Sequence, residues 1–409
     1  MRLSHSSGNS RALGLLAVAM CVAVAGWTTA AAAETFQVGP DRPLKSVKEL
    51  VDRLKPGDVV EVDPGTYCEI MKVRAKGTRE APITIRGVAG KARPVFDADK
   101  LEVTGKGSVP RAIFQVEGSC IVLEHLELAN ARNGDTAAGV RLNGSTNAVI
   151  RDCKIHHCDL GVFGDDYETA TIEFSEICFN STEKWKGYAH NFYMHGNRVV
   201  VRGCYIHDSP FGQNFKSRAH YNELWYNWIA DSDEGEVGPV DEHQKKGGTG
   251  LANSHTLLVG NVIVSQPNRD GNPGKFILFG SELKDTAGHN GTLYLFNNTL
   301  VAGTTNIIFV QLADARAQLV ARNNIFAGSP NILRQQKPAL SVAGSHNWME
   351  AGAQVPAGFT DTIQGAEAGF VDAARRDFRL RADSACVDRG TGELQYVDGD
   401  GATHALAVD

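Results

Sequence analysis

Positive charge, tryptophan and long apolar runs are all in short supply in this chain. Lys and Arg number 41 against 47 Asp and Glu, a net charge of −6, so no nucleic acid partner is expected. No stretch beyond Trp27 is apolar enough to cross a bilayer, and no membrane association of the mature chain is expected. There is no CxxC pair, which argues against a zinc site. Tryptophan is held to 5 residues while glycine reaches 43, a balance that suits an architecture of coils and tight corners.

The first residues read apart from the rest. Arg2 and Arg11 precede an apolar run from Ala12 to Trp27, and Ala31-Ala32-Ala33 offers a small-residue cleavage site. This is the pattern of a secretory signal over residues 1–33, with a mature chain from Glu34 that is secreted or periplasmic. A retained anchor is the alternative, disfavoured by the shortness of the run. Seven cysteines follow the signal, at 68, 120, 153, 158, 178, 204 and 386, and an odd count leaves at least one free thiol. Cys153 and Cys204 are expected as small buried packing residues, while a Cys158–Cys178 pair stays open.

What is present is a repeat written in few letters. Short apolar strands recur with a small or polar residue two places before a large apolar one: Leu126/Leu128, Cys153/Ile155, Ser175/Ile177, Cys204/Ile206, Asn227/Ile229, Asn261/Ile263, Asn298/Leu300, Asn324/Phe326 and Asn347/Met349. The spacing has a floor near 22 residues and varies above it. That is the signature of a solenoid whose coils stack and whose loops vary. Five successive asparagines predict a buried ladder of amides, each bonding the next coil. The fold class expected is all-β, a single-stranded right-handed parallel β-helix in one domain over 34–409, and a monomer.

Val47, Leu50, Val51 and Leu54 stand at i, i+3, i+4 and i+7 before Pro56-Gly57, which predicts a short N-terminal capping helix. The first coils follow up to residue 100, and regular coils run over 101–350. Residues 230–250 read as a polar, acidic excursion, and 351–409 as a segment closing the far end.

The repeat also serves as a ruler. Val140, Val162, Phe192 and Phe215 each lie 12 or 13 residues before a ladder residue, and strand alternation sends them inward. One outward column is then Arg141, Phe163, Tyr193 and Lys216, and the next is Asn143, Asp165, His195 and Arg218. Lys216, Arg218, Tyr193 and His195 are the candidate catalytic residues. Arg141, Asn143, Asp165, Asn214, His190, His220, His243 and Lys245 are candidate substrate contacts. The next coil reads as Ala252 and Ser254.

No pair of carboxylates sits on adjacent coils, as glycoside hydrolysis requires. A lysine crowded by Arg218 and His195 should lose its proton more easily and act as a base. Proton abstraction beside the carboxylate of a uronate ring fits these groups. Arg218 (or Arg141) would neutralise the carboxylate, Lys216 would take the proton, and Tyr193 or His195 would protonate the leaving oxygen.

Three stretches carry a resemblance: Asp58 to Tyr67 with Ala81 to Gly87, Lys216-Ser217 ten residues before Tyr226-Asn227, and Asp377-Phe378-Arg379-Leu380 with Asp388-Arg389-Gly390. They resemble the secreted β-helix polysaccharide lyases of the alginate lyase and chondroitinase B group. The resemblance implies β-elimination on an acidic polysaccharide with Lys216 as base. Relatives of that kind carry a second arginine one coil later, where Leu251-Ala252-Asn253-Ser254-His255 has none. They also often hold calcium through glutamates before the lysine, where Ser209 to Gln213 offers no carboxylate. The acidic Asp231, Asp233, Glu234 and Glu236 are the remaining candidates for Ca²⁺, though their spacing matches no EF-hand loop. A solvated lid is the competing reading of that loop. A C5-epimerase, or a non-catalytic polysaccharide-binding protein, are the alternatives.

Overall fold

Strands form wherever β-branched and aromatic residues alternate with polar ones, and glycine, asparagine and aspartate end them. The structure is a computed structural model and describes residues 32–240, 252–267, 275–282 and 290–407. The signal over 1–33 therefore lies almost wholly outside the described residues, as do His243 and Lys245. Residues 33–409 form one folding unit. Among the described residues, no helix is long and apolar enough to cross a membrane.

Strands of successive coils pair in parallel to give a 21-stranded and a 12-stranded sheet. The larger sheet has two rows. One runs through Ala112–Val116, Ala138–Asn143, Gln213–Ser217, Gly235–Pro239 and Lys275–Phe279. The other runs through Ile121–Glu124, Ala148–Arg151, Tyr221–Trp225 and Thr256–Val259. The long strands Leu160–Glu173 and Phe192–Arg202 belong to both rows and weld them together. The smaller sheet stacks the strands that follow each ladder residue, from Glu127–Ala129 to Trp348–Glu350 and Ile363–Gly365. Parallel rows wound coil on coil are a parallel β-helix, with Leu128, Ile155, Ile177, Ile206, Ile229, Ile263 and Leu300 stacked fully buried along its core.

The asparagine ladder is present bond for bond. Asn227 Nδ2 donates to Asn261 Oδ1, Asn261 Nδ2 to Asn298 Oδ1, and Asn298 Nδ2 to Asn324 Oδ1, at 2.9, 2.9 and 3.0 Å. Asn324 donates to Asn347 in the same way at 2.9 Å. Each side-chain oxygen also accepts the backbone N–H of the preceding ladder residue. The residue before every ladder position has positive φ, from His125, Asp152 and Phe174 through Gly203, Tyr226 and Gly260 to Asn297, Asn323 and His346. Seven of these nine are not glycine, and each such residue costs roughly 1–2 kcal/mol. The ladder bonds offset that cost and fix the corner. At Gly260 a Cβ would lie 2.4 Å from the Tyr226 ring, so the side chain of the preceding corner takes the space glycine leaves.

Three expectations are corrected. The cap is not a helix. Val47, Leu50, Val51 and Leu54 are buried as their period predicts, but the backbone runs in i→i−3 turns, Leu50 N to Val47 O and Arg53 N to Leu50 O. A segment this short cannot sustain an α-nucleus, and Glu69 instead anchors its start through Ser46, Val47 and Lys48. Residues 230–250 are not wholly an excursion, because Gly235–Pro239 is a strand of the first row paired with Gln213–Ser217. Finally, the segment after residue 366 packs back along the flank of the coils. Phe378 stacks on Trp228 at 5.8 Å, Arg376 pairs with Asp231, and Tyr396 packs on Trp225.

Candidate active site

The first row sets the site by register. Arg141 pairs with Phe163, Phe163 with Tyr193, Tyr193 with Lys216, and Lys216 with Gly238. Asn143 pairs with Asp165 and Asp165 with His195. Arg218 follows one step beyond the strand, its N–H donating to Met194 O at 2.6 Å. The structure thus brings Tyr193, His195, Lys216 and Arg218 onto one face. Phe192, Phe215 and Ser217 point inward. The following coil is supplied by Gly238, not by Ala252 and Ser254. Ser254 and His255 instead lie at the start of the second row, where Thr256 pairs with Asn222. The stretch 252–255 is therefore not the coil after Lys216.

This face is recessed rather than solvated. Lys216 is 2 % exposed, His195 8 % and Arg141 9 %. Lys216 Nζ donates to Glu282 Oε2. Arg218 Nη2 reaches the same oxygen at 3.2 Å, and Lys275 Nζ stands 3.6 Å from Oε1. Glu282, unremarked in the sequence, is thus surrounded by three cations. Burial lowers the Lys216 pKa to about 8; Glu282 opposes the shift, while Arg218 and Lys275 add to it. Glu282 is held below its ordinary value against its own desolvation, by Lys216 first and then by Lys275 and Arg218. Arg218 Nε donates to the Tyr193 hydroxyl at 3.3 Å. The Tyr193 ring meets His195 edge-on at 4.4 Å, and His195 packs on Phe163 at 5.7 Å.

The other expected contacts divide. The Arg141 guanidinium lies over the Phe163 ring at 3.9 Å, with Nε donating to Asn143 and Nη1 to the Thr136 carbonyl. Burial, then Arg111, brings its pKa to about 10. It sits three strands from Lys216, so Arg218 is the cation beside the lysine. Asn143 and Asp165 remain part-exposed at the edge of the column. His220 lies between Ser254 and Gly399, away from Lys216's strand partners.

His190 and Asn214 are both buried within the coil, His190 with its ring edge-on to Tyr193 at 5.1 Å. His190 is 1 % exposed and its Nδ1 accepts the Gln213 N–H at 2.9 Å; burial, then Lys216 and Arg218, keep it neutral. Asn214 is wholly buried in a second polar ladder. Asn180 donates to Asn191, Asn191 to Asn214, and Asn214 to Glu236, at 2.9, 2.8 and 2.7 Å. These amides also bond the buried carbonyls of Ile155, His207 and Ala230. Buried carbonyls need such donors.

The acidic calcium candidates are engaged separately. Asp231 is gripped by both nitrogens of Arg376. Asp233 faces Lys186 at 3.7 Å. The Glu234 N–H bonds Gly212. Glu236 is wholly buried, and burial raises its pKa to about 8. Among the described residues these four carboxylates do not converge on a point.

No known family matches the sequence, and no curated protein does. Solved structures do. A pectate lyase superimposes with a TM-score of 0.56 at 15 % identity, over 88 % of this chain and 92 % of its own. A rhamnogalacturonan lyase gives 0.56 at 15 %, over 83 % and 91 %. An alginate lyase from Paenibacillus sp. str. FPU-7 gives 0.53 at 15 %, over 76 % and 97 %. At this identity the likeness establishes the fold, a parallel β-helix shared with polysaccharide lyases.

Proposed function

We propose that the chain is an exported polysaccharide lyase that cleaves a uronate-containing polysaccharide by β-elimination. The observation that carries this reading is the carboxylate of Glu282 held among Lys216, Arg218 and Lys275. A groove that gathers three cations on one carboxylate suits the carboxylate of a uronate ring, which would take the place of Glu282. Arg218 then stabilises the charge that spreads into that carboxylate as the C5 proton leaves. Neutral Lys216 Nζ takes the proton. The electron pair forms the C4–C5 double bond, the C4–O bond breaks, and the Tyr193 hydroxyl gives its proton to the departing oxygen. The mixture of a buried lysine near pH 8 and a phenol beside a guanidinium suits this sequence of transfers.

The test is incubation of the mature protein with alginate, glycosaminoglycans, pectate and glucuronan while following the unsaturated-uronate absorbance. A rise that Lys216→Ala abolishes is expected. Altered uronate composition without a rise would make it an epimerase, and binding with neither would make it a non-catalytic protein.

A further inference from the structure

On the opposite sheet a second cluster has the donor set of a metal site. Glu176 and Cys178 stand two residues apart on the strand Glu176–Cys178, so both side chains leave the same face. His207, on the next coil, is the register partner of Cys178. Glu176 Oε1 is 3.6 Å from Cys178 Sγ and 3.5 Å from His207 Nε2. All three donor atoms lie within 4.8 Å of one another. In a tetrahedral zinc site, sulfur and oxygen stand about 3.6 Å apart and nitrogen and oxygen about 3.4 Å, from the usual bond lengths. Two edges of the polyhedron are therefore already near their final length.

A second observation points the same way. His207 is 6 % exposed, and its buried Nε2 makes no well-formed hydrogen bond, Glu176 Oε1 standing 3.5 Å away. Leaving such an atom poorly satisfied is costly. Its other nitrogen, Nδ1, bonds Asp208 Oδ2 at 2.6 Å. A carboxylate on the far nitrogen is what orients a metal-bound histidine and presents its free lone pair. The Tyr205 ring stacks on the imidazole at 3.8 Å and the Phe179 ring meets it edge-on, so its plane is fixed. Lys154 Nζ bonds Glu176 Oε1 at 3.1 Å; it neutralises that carboxylate and would turn outward to solvent on metal entry.

We propose that Glu176, Cys178 and His207 bind a divalent zinc ion, with Asp208 holding His207 in place. One thiolate, one imidazole and one carboxylate match zinc rather than calcium or magnesium. Three protein ligands leave a fourth position for water. The site is assembled across two coils, so no run of sequence carries its spacing.

The test uses reduced, chelator-treated full-length protein. Zn²⁺ is titrated by calorimetry, and Co²⁺ is followed by absorbance. One Zn²⁺ per chain is expected, with a thiolate-to-cobalt charge-transfer band that Cys178→Ser removes. His207→Gln and Glu176→Gln should each weaken Zn²⁺ binding at least about tenfold, and Asp208→Asn about 10–100-fold. Circular dichroism of each variant separates lost ligands from lost fold, and Glu176→Gln, at the part-exposed rim, serves if the buried variants fail to fold. Absence of Zn²⁺ binding, or equal affinity in folded Glu176→Gln and wild type, overturns the proposal.

Discussion

Arg218 donates to the hydroxyl of Tyr193, one coil away, at 3.3 Å, and the same guanidinium holds Glu282. The phenol is thereby tied to the group that would meet a substrate carboxylate. If Tyr193 gives the leaving oxygen its proton, Tyr193→Phe should lower kcat by about 10²–10⁴-fold with little change in KM. Activity kept in Tyr193→Phe would move the acid role to His195, the edge-on neighbour of its ring.

Lys216 is charged when it ought to be neutral to act. With its pKa lowered to about 8 by burial, kcat/KM should rise with pH up to about 8 and level off above it. The same shift has a stability cost with a definite sign. Between about 8 and the ordinary lysine value the unfolded chain binds the proton and the folded chain does not, so stability rises with pH across that window. Below it the cost is complete. Lys216→Met should abolish activity yet raise stability at pH 7 by roughly 1–3 kcal/mol, a gain that shrinks above pH 8. Urea melts at pH 7 and 10 measure it, and a variant less stable than wild type at pH 7 would contradict the burial argument.

Glu282 pulls the Lys216 pKa upward against burial. Glu282→Gln removes that pull. The rising limb of the pH–rate profile should shift to lower pH, and KM for an anionic substrate should fall because no internal carboxylate competes for Arg218. An unmoved limb would mean that Lys216 is not the group titrating in it.

The inner rungs of the asparagine ladder each close at least four bonds. Asn261 accepts from the Asn227 amide and backbone and donates to Leu224 O and Asn298 Oδ1. Asn261→Ala would strand those partners in the core, at a cost of roughly 2–4 kcal/mol. A melting temperature within a degree of wild type would show that water replaces the amide.

Much of this was legible in the sequence because a solenoid turns spacing into position. Counting back from Ser175, Cys204 and Asn227 put Tyr193 opposite Lys216 without any structure. The ruler failed where coil length varied. The coil after Lys216 returns early, at Gly235–Pro239, so Gly238 and not Ala252 fills the column. Glu282 reaches Lys216 from 66 residues away, through an insertion whose length no repeat constrains. Asn214 lies inside the strand Gln213–Ser217 yet is wholly buried, because its amide bonds the Ala230 carbonyl and Glu236 across the coil. Glu176 and His207 stand on separate coils, and only the stacking of those coils makes them neighbours.

Glu236 ends the second polar ladder with a carboxyl that burial keeps protonated to about pH 8. It accepts from Asn214 Nδ2 and from the Ser232 N–H. Its folded pKa is above its unfolded one. Between about 4.5 and 8 the folded chain holds a proton that the unfolded chain releases, so stability falls as pH rises through that window. The direction is opposite to that of Lys216, and the windows meet near pH 8 without overlapping. Glu236→Gln keeps an oxygen for Asn214 and never ionises. It should match wild type near pH 4.5 and exceed it progressively up to pH 8, by roughly 1–3 kcal/mol at the upper end. Paired denaturant melts at pH 4.5, 6 and 8 read the difference, and a constant offset across the three would show that Glu236 is already ionised in the folded protein.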